Sequence, residues 1–289
     1  MYALKKLLSA SLLLIAAASF CQENLQSYTP SILFDKGEWE FKSFQNVYWQ
    51  TKSFDGAGVS TESSGAGRQL WATSINQFLF GINSQINVGV DIWVKHVSYE
   101  NGGLDNRTAV TGIGPKVKIA PFKNLKRLSI QSSVLFPGVK DMESTNDNSS
   151  PFLETDKTLW LTQFFYDKQI NDQFQLFFQQ AFWANFVRNS FAENSFLQTQ
   201  TSVFFSYFPN QRWTFYAMSE FFPTHYDSSP TEQTAKAFNT YFVQSGLGAK
   251  FQLIPNKIEI EALYTDFVMG SNGQGAGQTI NLGLRLIRQ

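Results

Sequence analysis

The sequence predicts an all-β protein: a closed antiparallel transmembrane β-barrel of about twelve strands, with long extracellular loops and short periplasmic turns. Three observations predict it. Apolar and polar residues alternate with period two along almost the whole chain beyond its first segment, and no helical period competes. Most alternating runs are about 10–15 residues long, against roughly 5–6 for soluble strands, which is enough to cross a bilayer at a tilt. The connections alternate short and long, so the long loops share one side of the sheet.

Residues 1–21 read as a signal peptide for export. Lys5 and Lys6 form its basic start, Leu7 to Phe20 its apolar stretch, and small Ser19 and Cys21 precede a cleavage site before Gln22. Cys21 also admits a lipoprotein reading, against which bulky Phe20 argues. Residues 22–36 carry Pro30 and little pattern. They are expected to be a periplasmic N-terminal segment, with a lumen plug as the sharper reading. The barrel is expected over 37–289.

Twelve runs follow, near 38–51, 68–80, 85–98, 109–120, 127–136, 158–167, 173–185, 196–208, 212–225, 237–252, 257–268 and 278–288. The third is the cleanest: Ile86, Val88, Val90, Ile92 and Val94 share one face, and Asn87, Gly89, Asp91, Trp93 and Lys95 the other. In the seventh, Phe174, Leu176, Phe178 and Phe182 oppose Gln173, Gln175, Gln179 and Asn185. Short turns such as Asn210–Gln211 and Pro255–Asn256 follow even runs. Polar loops over 52–67, 99–108, 137–157, 186–195, 226–236 and 269–277 follow odd ones.

Lipid offers no hydrogen-bond partner, so a sheet within it must close and leave no edge. The apolar face of each strand then meets lipid and the other face lines a lumen. Aromatics near strand ends fit interfacial belts: Trp39, Trp49, Phe80, Phe122, Phe136, Tyr207, Phe208 and Trp213.

Composition excludes several function classes. Lys+Arg and Asp+Glu number 23 each, so no cationic excess serves nucleic acid. One Cys rules out a disulfide scaffold, and with two His it leaves little for a zinc site. Aromatic residues at 16% rule out a disordered chain. Mean hydropathy of −0.20 argues against a helical transporter. No cofactor and no metal is expected.

Parity brings Glu40, Lys42, Lys116, Lys118, Lys250, Glu259, Glu261 and Arg285 into the periplasmic half of the lumen. Closure sets the last run beside the first, so Arg285 is expected to bridge Glu259 or Glu261 on one side and Glu40 on the other. One reading is a structural ion network; the other is a constriction whose cations favour anionic solutes. Trp93, Phe177, Gln179, Trp183, Gln200, Tyr216 and Gln244 fall on the same inner side and form a solute path, amides beside aromatic faces. In the third long loop, Asp141, Glu143, Asp147 and Asn148 form an acidic run that is a calcium candidate or simply solvated. His225 is expected to begin a loop.

His96 and Ser98 stand at i and i+2 on the outward face of the third run. Their spacing resembles the His-x-Ser pair of the outer-membrane phospholipase A family, which would imply a Ser98 nucleophile with a His96 base, oriented by Asn101 or Asn106. The bland reading is two polar side chains at the membrane interface. The whole chain after the signal resembles outer-membrane β-barrels of the Bacteroidota type. The resemblance rests on Gly112-Ile113-Gly114-Pro115-Lys116-Val117-Lys118, on Gln163-Phe164-Phe165-Tyr166-Asp167 and on a signal ending before Gln22. It implies a porin-like or transporter-like barrel, and the chain departs from its common aromatic ending by stopping at Ile287-Arg288-Gln289.

The expected function is a non-enzymatic, monomeric channel or passive transporter in the outer membrane, for small solutes of hydrophobic, aromatic or anionic character. The alternatives are a closed barrel whose surface loops act in adhesion, reception or assembly, and a phospholipase-like hydrolase.

Overall fold

The computed structural model describes residues 29–62, 67–100, 106–125, 127–143, 152–188, 195–226 and 240–288. The expected signal peptide, with Cys21, lies outside them. The described strands are β1 (Trp39–Phe54), β2 (Ser60–Glu62), β3 (Gln69–Asn83), β4 (Ile86–Tyr99), β5 (Arg107–Ile119), β6 (Leu128–Leu135), β7 (Lys157–Gln169), β8 (Phe174–Val187), β9 (Phe196–Tyr207), β10 (Trp213–Tyr226), β11 (Thr240–Ile254), β12 (Ile258–Gly270) and β13 (Gly275–Arg288). β2 is a three-residue ribbon against the end of β1. The other twelve pair antiparallel in chain order, and β13 closes on β1 from Trp39↔Arg288 to Ser53↔Gly275. The fold is a closed twelve-stranded antiparallel barrel, and the β13–β1 pairing leaves none of its twelve long strands at an edge.

Period-two alternation dictates which side each residue takes. On β4, Val88, Val90 and Ile92 are 36–39% exposed on the outer wall, while Asn87 and Asp91 are 0% exposed inside. The outer wall continues through Phe178, Phe182, Phe215, Leu247, Ile280 and Leu282. Phe80, Phe122, Phe136 and Trp213 are exposed near strand ends. Phe208 departs from the predicted belt. It is buried, with its amide donating to the Gln173 carbonyl in the β8 turn.

The outer wall also carries a polar quartet at mid-height on β1 and β3. Ser43 Oγ donates to Asn76 Oδ1 (2.8 Å), and Gln45 Nε2 donates to Ser43 Oγ (3.0 Å) and Ser74 Oγ (2.9 Å). Asn76 Nδ2 donates to Ser74 Oγ at 3.0 Å, so the four satisfy one another where lipid offers nothing.

Two predicted loops turn out differently. The expected loop 269–277 closes to Ser271–Gln274, because Asn272 and Gly273 take left-handed φ values of 54° and 84° and make a tight turn. The described flanks of loop 137–157 fold into the barrel mouth. Leu153 packs with Val97 and Ala109, supported by Val139 and Met142, so apolar burial wins over the loop's polar composition. The inner wall is not uniformly polar either: Trp93, Leu135, Leu159, Leu161 and Ala181 form a buried apolar cluster inside β4–β8.

Candidate functional site

At the short-turn end, the predicted charges converge. Glu40 receives Arg285 Nε at 2.5 Å and Lys42 Nζ at 2.9 Å, so the expected bridge from Arg285 to Glu40 is present. Arg285 faces Glu259 in register on its other side. Glu259 accepts from Gln252 Nε2 at 2.5 Å. Glu261 lies 3.7 Å from Lys250 Nζ and accepts the Tyr216 hydroxyl. Lys116 pairs elsewhere, with Asp91 at 2.5 Å, and Asp91 also accepts Ser133 Oγ at 2.9 Å. With Asp91 and Asp167 added to the three predicted glutamates, five carboxylates face the five cations of this ring.

Residues 29–36 lie against this cluster. Lys118 Nζ donates to the carbonyls of Pro30 (2.6 Å) and Ile32 (2.7 Å). The Asn87 side chain brackets Phe34, accepting its amide and donating to its carbonyl, both at 2.8 Å. Thr29 and Ser31 donate their hydroxyls to the Asp167 carboxylate. The Phe34 ring is 1% exposed and packs on Leu79 and Ile287. At Gly81 a Cβ would stand 2.0 Å from the Asp35 carbonyl oxygen, so only glycine lets this segment pass so close to β3.

Toward the loop end, a cavity of about 200 Å³ opens between Trp93, Lys95, Glu154, Lys157, Trp183 and Phe222. Trp93 and Trp183 meet edge-on at 5.7 Å, and Trp183 and Phe222 at 5.8 Å. Trp183 Nε1 donates to Gln200 Oε1 at 3.2 Å. Below, Glu220 is buried and accepts from Gln200 (2.5 Å), Ser202 (2.8 Å) and Gln244 (2.7 Å). Phe177, also buried, stacks on Phe165 at 5.9 Å, and Phe204 bridges Phe177 and Tyr216. Gln179 faces inward opposite buried Ser202. The predicted path residues thus share the inner wall, and Trp93 and Trp183 line the cavity itself.

The acidic arm at the cavity comes from the inward-folded loop. Glu154, at φ 67°, accepts Lys95 Nζ on Oε2 and has Lys157 Nζ 3.3 Å from Oε1. The loop is anchored by the buried Arg107–Glu143 pair at 2.9 Å, with Glu143 Oε1 accepting the Leu153 amide and Thr155 hydroxyl. That arrangement commits Glu143 to a cation of the barrel rather than to calcium. Asp147 and Asn148 lie outside the described residues, and among those described no cluster of three metal-ligating side chains occurs. Burial pushes the carboxyl of neighbouring Asp156 up.

Sequence reasoning placed Asp91 on the polar face without giving it a role, and it missed Asp167, Glu154 and Glu220. Parity extends to Asp167 as well, but the partners of both aspartates come from neighbours that parity cannot rank. His96 Nδ1 lies 2.7 Å from Thr108 Oγ1, its register partner on β5, rather than on a serine. Asn101 lies outside the described residues. His225 sits within β10 opposite Leu197, not in a loop.

No family model and no curated protein matches the chain. Among solved structures it is similar to the COG4313 outer membrane channel from Pseudomonas putida F1, with a TM-score of 0.69 and 10% identity over 91% of this chain and 100% of that one. It is also similar to the translocator domain of the autotransporter NalP from Neisseria meningitidis, with TM-score 0.49 and 9% identity over 88% and 89% of the two chains. For the NanC porin the figures are 0.46 and 10%, over 85% and 98%. The first likeness shows that this barrel has the fold of outer-membrane barrels.

Proposed function

We propose that the chain is an outer-membrane channel or passive transporter for small solutes, working as a monomer and without covalent chemistry. The observation that carries this reading is the cavity beneath the long loops, enclosed by a barrel whose outer wall is apolar. Its aromatic and amide lining suits small solutes with a flat apolar or sugar-like surface. The likeness in fold to a channel supports the same reading. In it the signal peptide directs export, the short turns face the periplasm, and the resemblance to Bacteroidota-type barrels is kept as a reading of sequence.

Residues 29–36 act here as a stopper in the periplasmic mouth, held by Lys118, Asn87 and Asp167. The same contacts favour the second reading, a filled barrel that works through its loops. Planar-bilayer recording separates the two. The channel reading expects small conductance steps from the full protein and larger steps once residues 29–36 are deleted. Silence from both proteins, correctly folded by heat-modifiable gel migration, would leave the filled barrel.

A further inference from the structure

The cavity below the long loops holds an arrangement that passage alone does not require. Lys95 and Lys157 each approach a different oxygen of one carboxylate, that of Glu154. Two ammonium groups are therefore already set at the spacing that clasps a single carboxylate, with Asp156 the other acid close enough to act on Lys157. Glu154 reaches them from the inward-folded loop with a backbone φ of 67°, the left-handed region that few non-glycine residues adopt. Its side chain stays 33% exposed while Lys157 is 12% exposed, so the carboxylate is the accessible member of the cluster.

The rest of the lining is flat and apolar on one side and polar on the other. Trp93, Trp183 and Phe222 give ring edges and faces for a planar body. Two lining residues, Trp93 and Thr111, carry a buried polar atom with no hydrogen-bond partner among the described residues, Nε1 and Oγ1. Buried donors without partners are rare in folded proteins and call for a ligand or another explanation. Glu220, the next carboxylate down the lumen, already has three donors and is not part of the lining.

We propose that this cavity binds a small organic anion with a planar apolar body, an arylcarboxylate in chemical class, and that Glu154 occupies the position of the solute's carboxylate until it is displaced. The inference deepens the channel reading and rests on it for its role in uptake. Glu154 then serves as a specificity-determining residue: a neutral solute cannot replace it between the lysines, and an anion lacking the planar body gains nothing from the rings.

The test is isothermal titration calorimetry of the full protein in detergent with benzoate, acetate and benzyl alcohol. Benzoate is expected to saturate a single site, with acetate and benzyl alcohol each at least about tenfold weaker. Glu154→Gln removes the competing carboxylate and is expected to tighten benzoate several-fold. Lys95→Met is expected to weaken it by about tenfold or more. Absence of saturable benzoate binding, equal binding of benzyl alcohol, or an unchanged affinity in Glu154→Gln would each overturn the proposal. The gain expected of Glu154→Gln keeps the test decisive even if Lys95→Met fails to fold. Liposome swelling with arabinose is run in parallel. Swelling without benzoate binding sinks this site and leaves the channel, whereas benzoate binding without swelling supports the site and removes the channel.

Discussion

Glu40 is held between Arg285 and Lys42 with only 4% of its surface exposed. Removing one member of a buried ion pair strands the other charge, at a cost of about 3–5 kcal/mol. Glu40→Gln is therefore expected to lower the midpoint of urea unfolding in micelles markedly, and a Glu40→Gln/Arg285→Met double variant to recover much of the loss. If the single and double variants unfold alike, the pair is not coupled. Ser98 offers the opposite case. The described hydrogen bond of His96 runs to Thr108, so Ser98→Ala is expected to leave folding and solute passage unchanged. Loss of any lipid hydrolysis measured for the wild type would reverse that view. At this scale the sequence was legible where parity alone decides, as for Glu40, Lys118 and Trp93. It was silent on Glu154, whose role depends on a loop turning inward, and on Asp167, whose partners lie 136 and 138 residues away.

The strands themselves could be read closely, because each has one face that must be apolar and one that need not be. The predicted run 85–98 became Ile86–Tyr99, and 196–208 became Phe196–Tyr207. Loops were harder. Hydropathy cannot tell that Leu153 finds Val97 and Ala109 across the mouth, since register and strand stagger decide which side chains meet. The segment at residues 29–36 shows the same limit: side chains from β4 and β5 take up its backbone groups, and Asp167 of β7 takes up its hydroxyls. Gly81→Ala places a methyl group against the Asp35 and Phe34 carbonyl oxygens, which are main-chain atoms with little room to yield. That substitution is expected to loosen the segment and expose it to limited proteolysis from the short-turn side. An unaltered cleavage pattern would mean that the segment accommodates the methyl group in place.

For the whole molecule, inside and outside are the governing distinction. An arginine on the outer wall at mid-height must enter hydrocarbon, costing about 2–4 kcal/mol, whereas one on the inner wall meets a polar lumen. Ile92→Arg is expected to reduce the folded fraction in lipid vesicles, and Gln179→Arg to fold like the wild type while altering passage. Equal folding of both would contradict the orientation described for β4 and β8.

The seam between β1 and β13 carries one more consequence. The segment at residues 29–36 precedes β1, and β1 pairs with β3 on one side and with β13, the last described strand, on the other. Phe34 packs on Ile287 from that same strand, so the segment before β1 meets β13 inside the ring, just as β1 meets it along the wall. Closure of β13 on β1 therefore also covers Phe34, so the seating of this segment and the closing of the barrel share one strand.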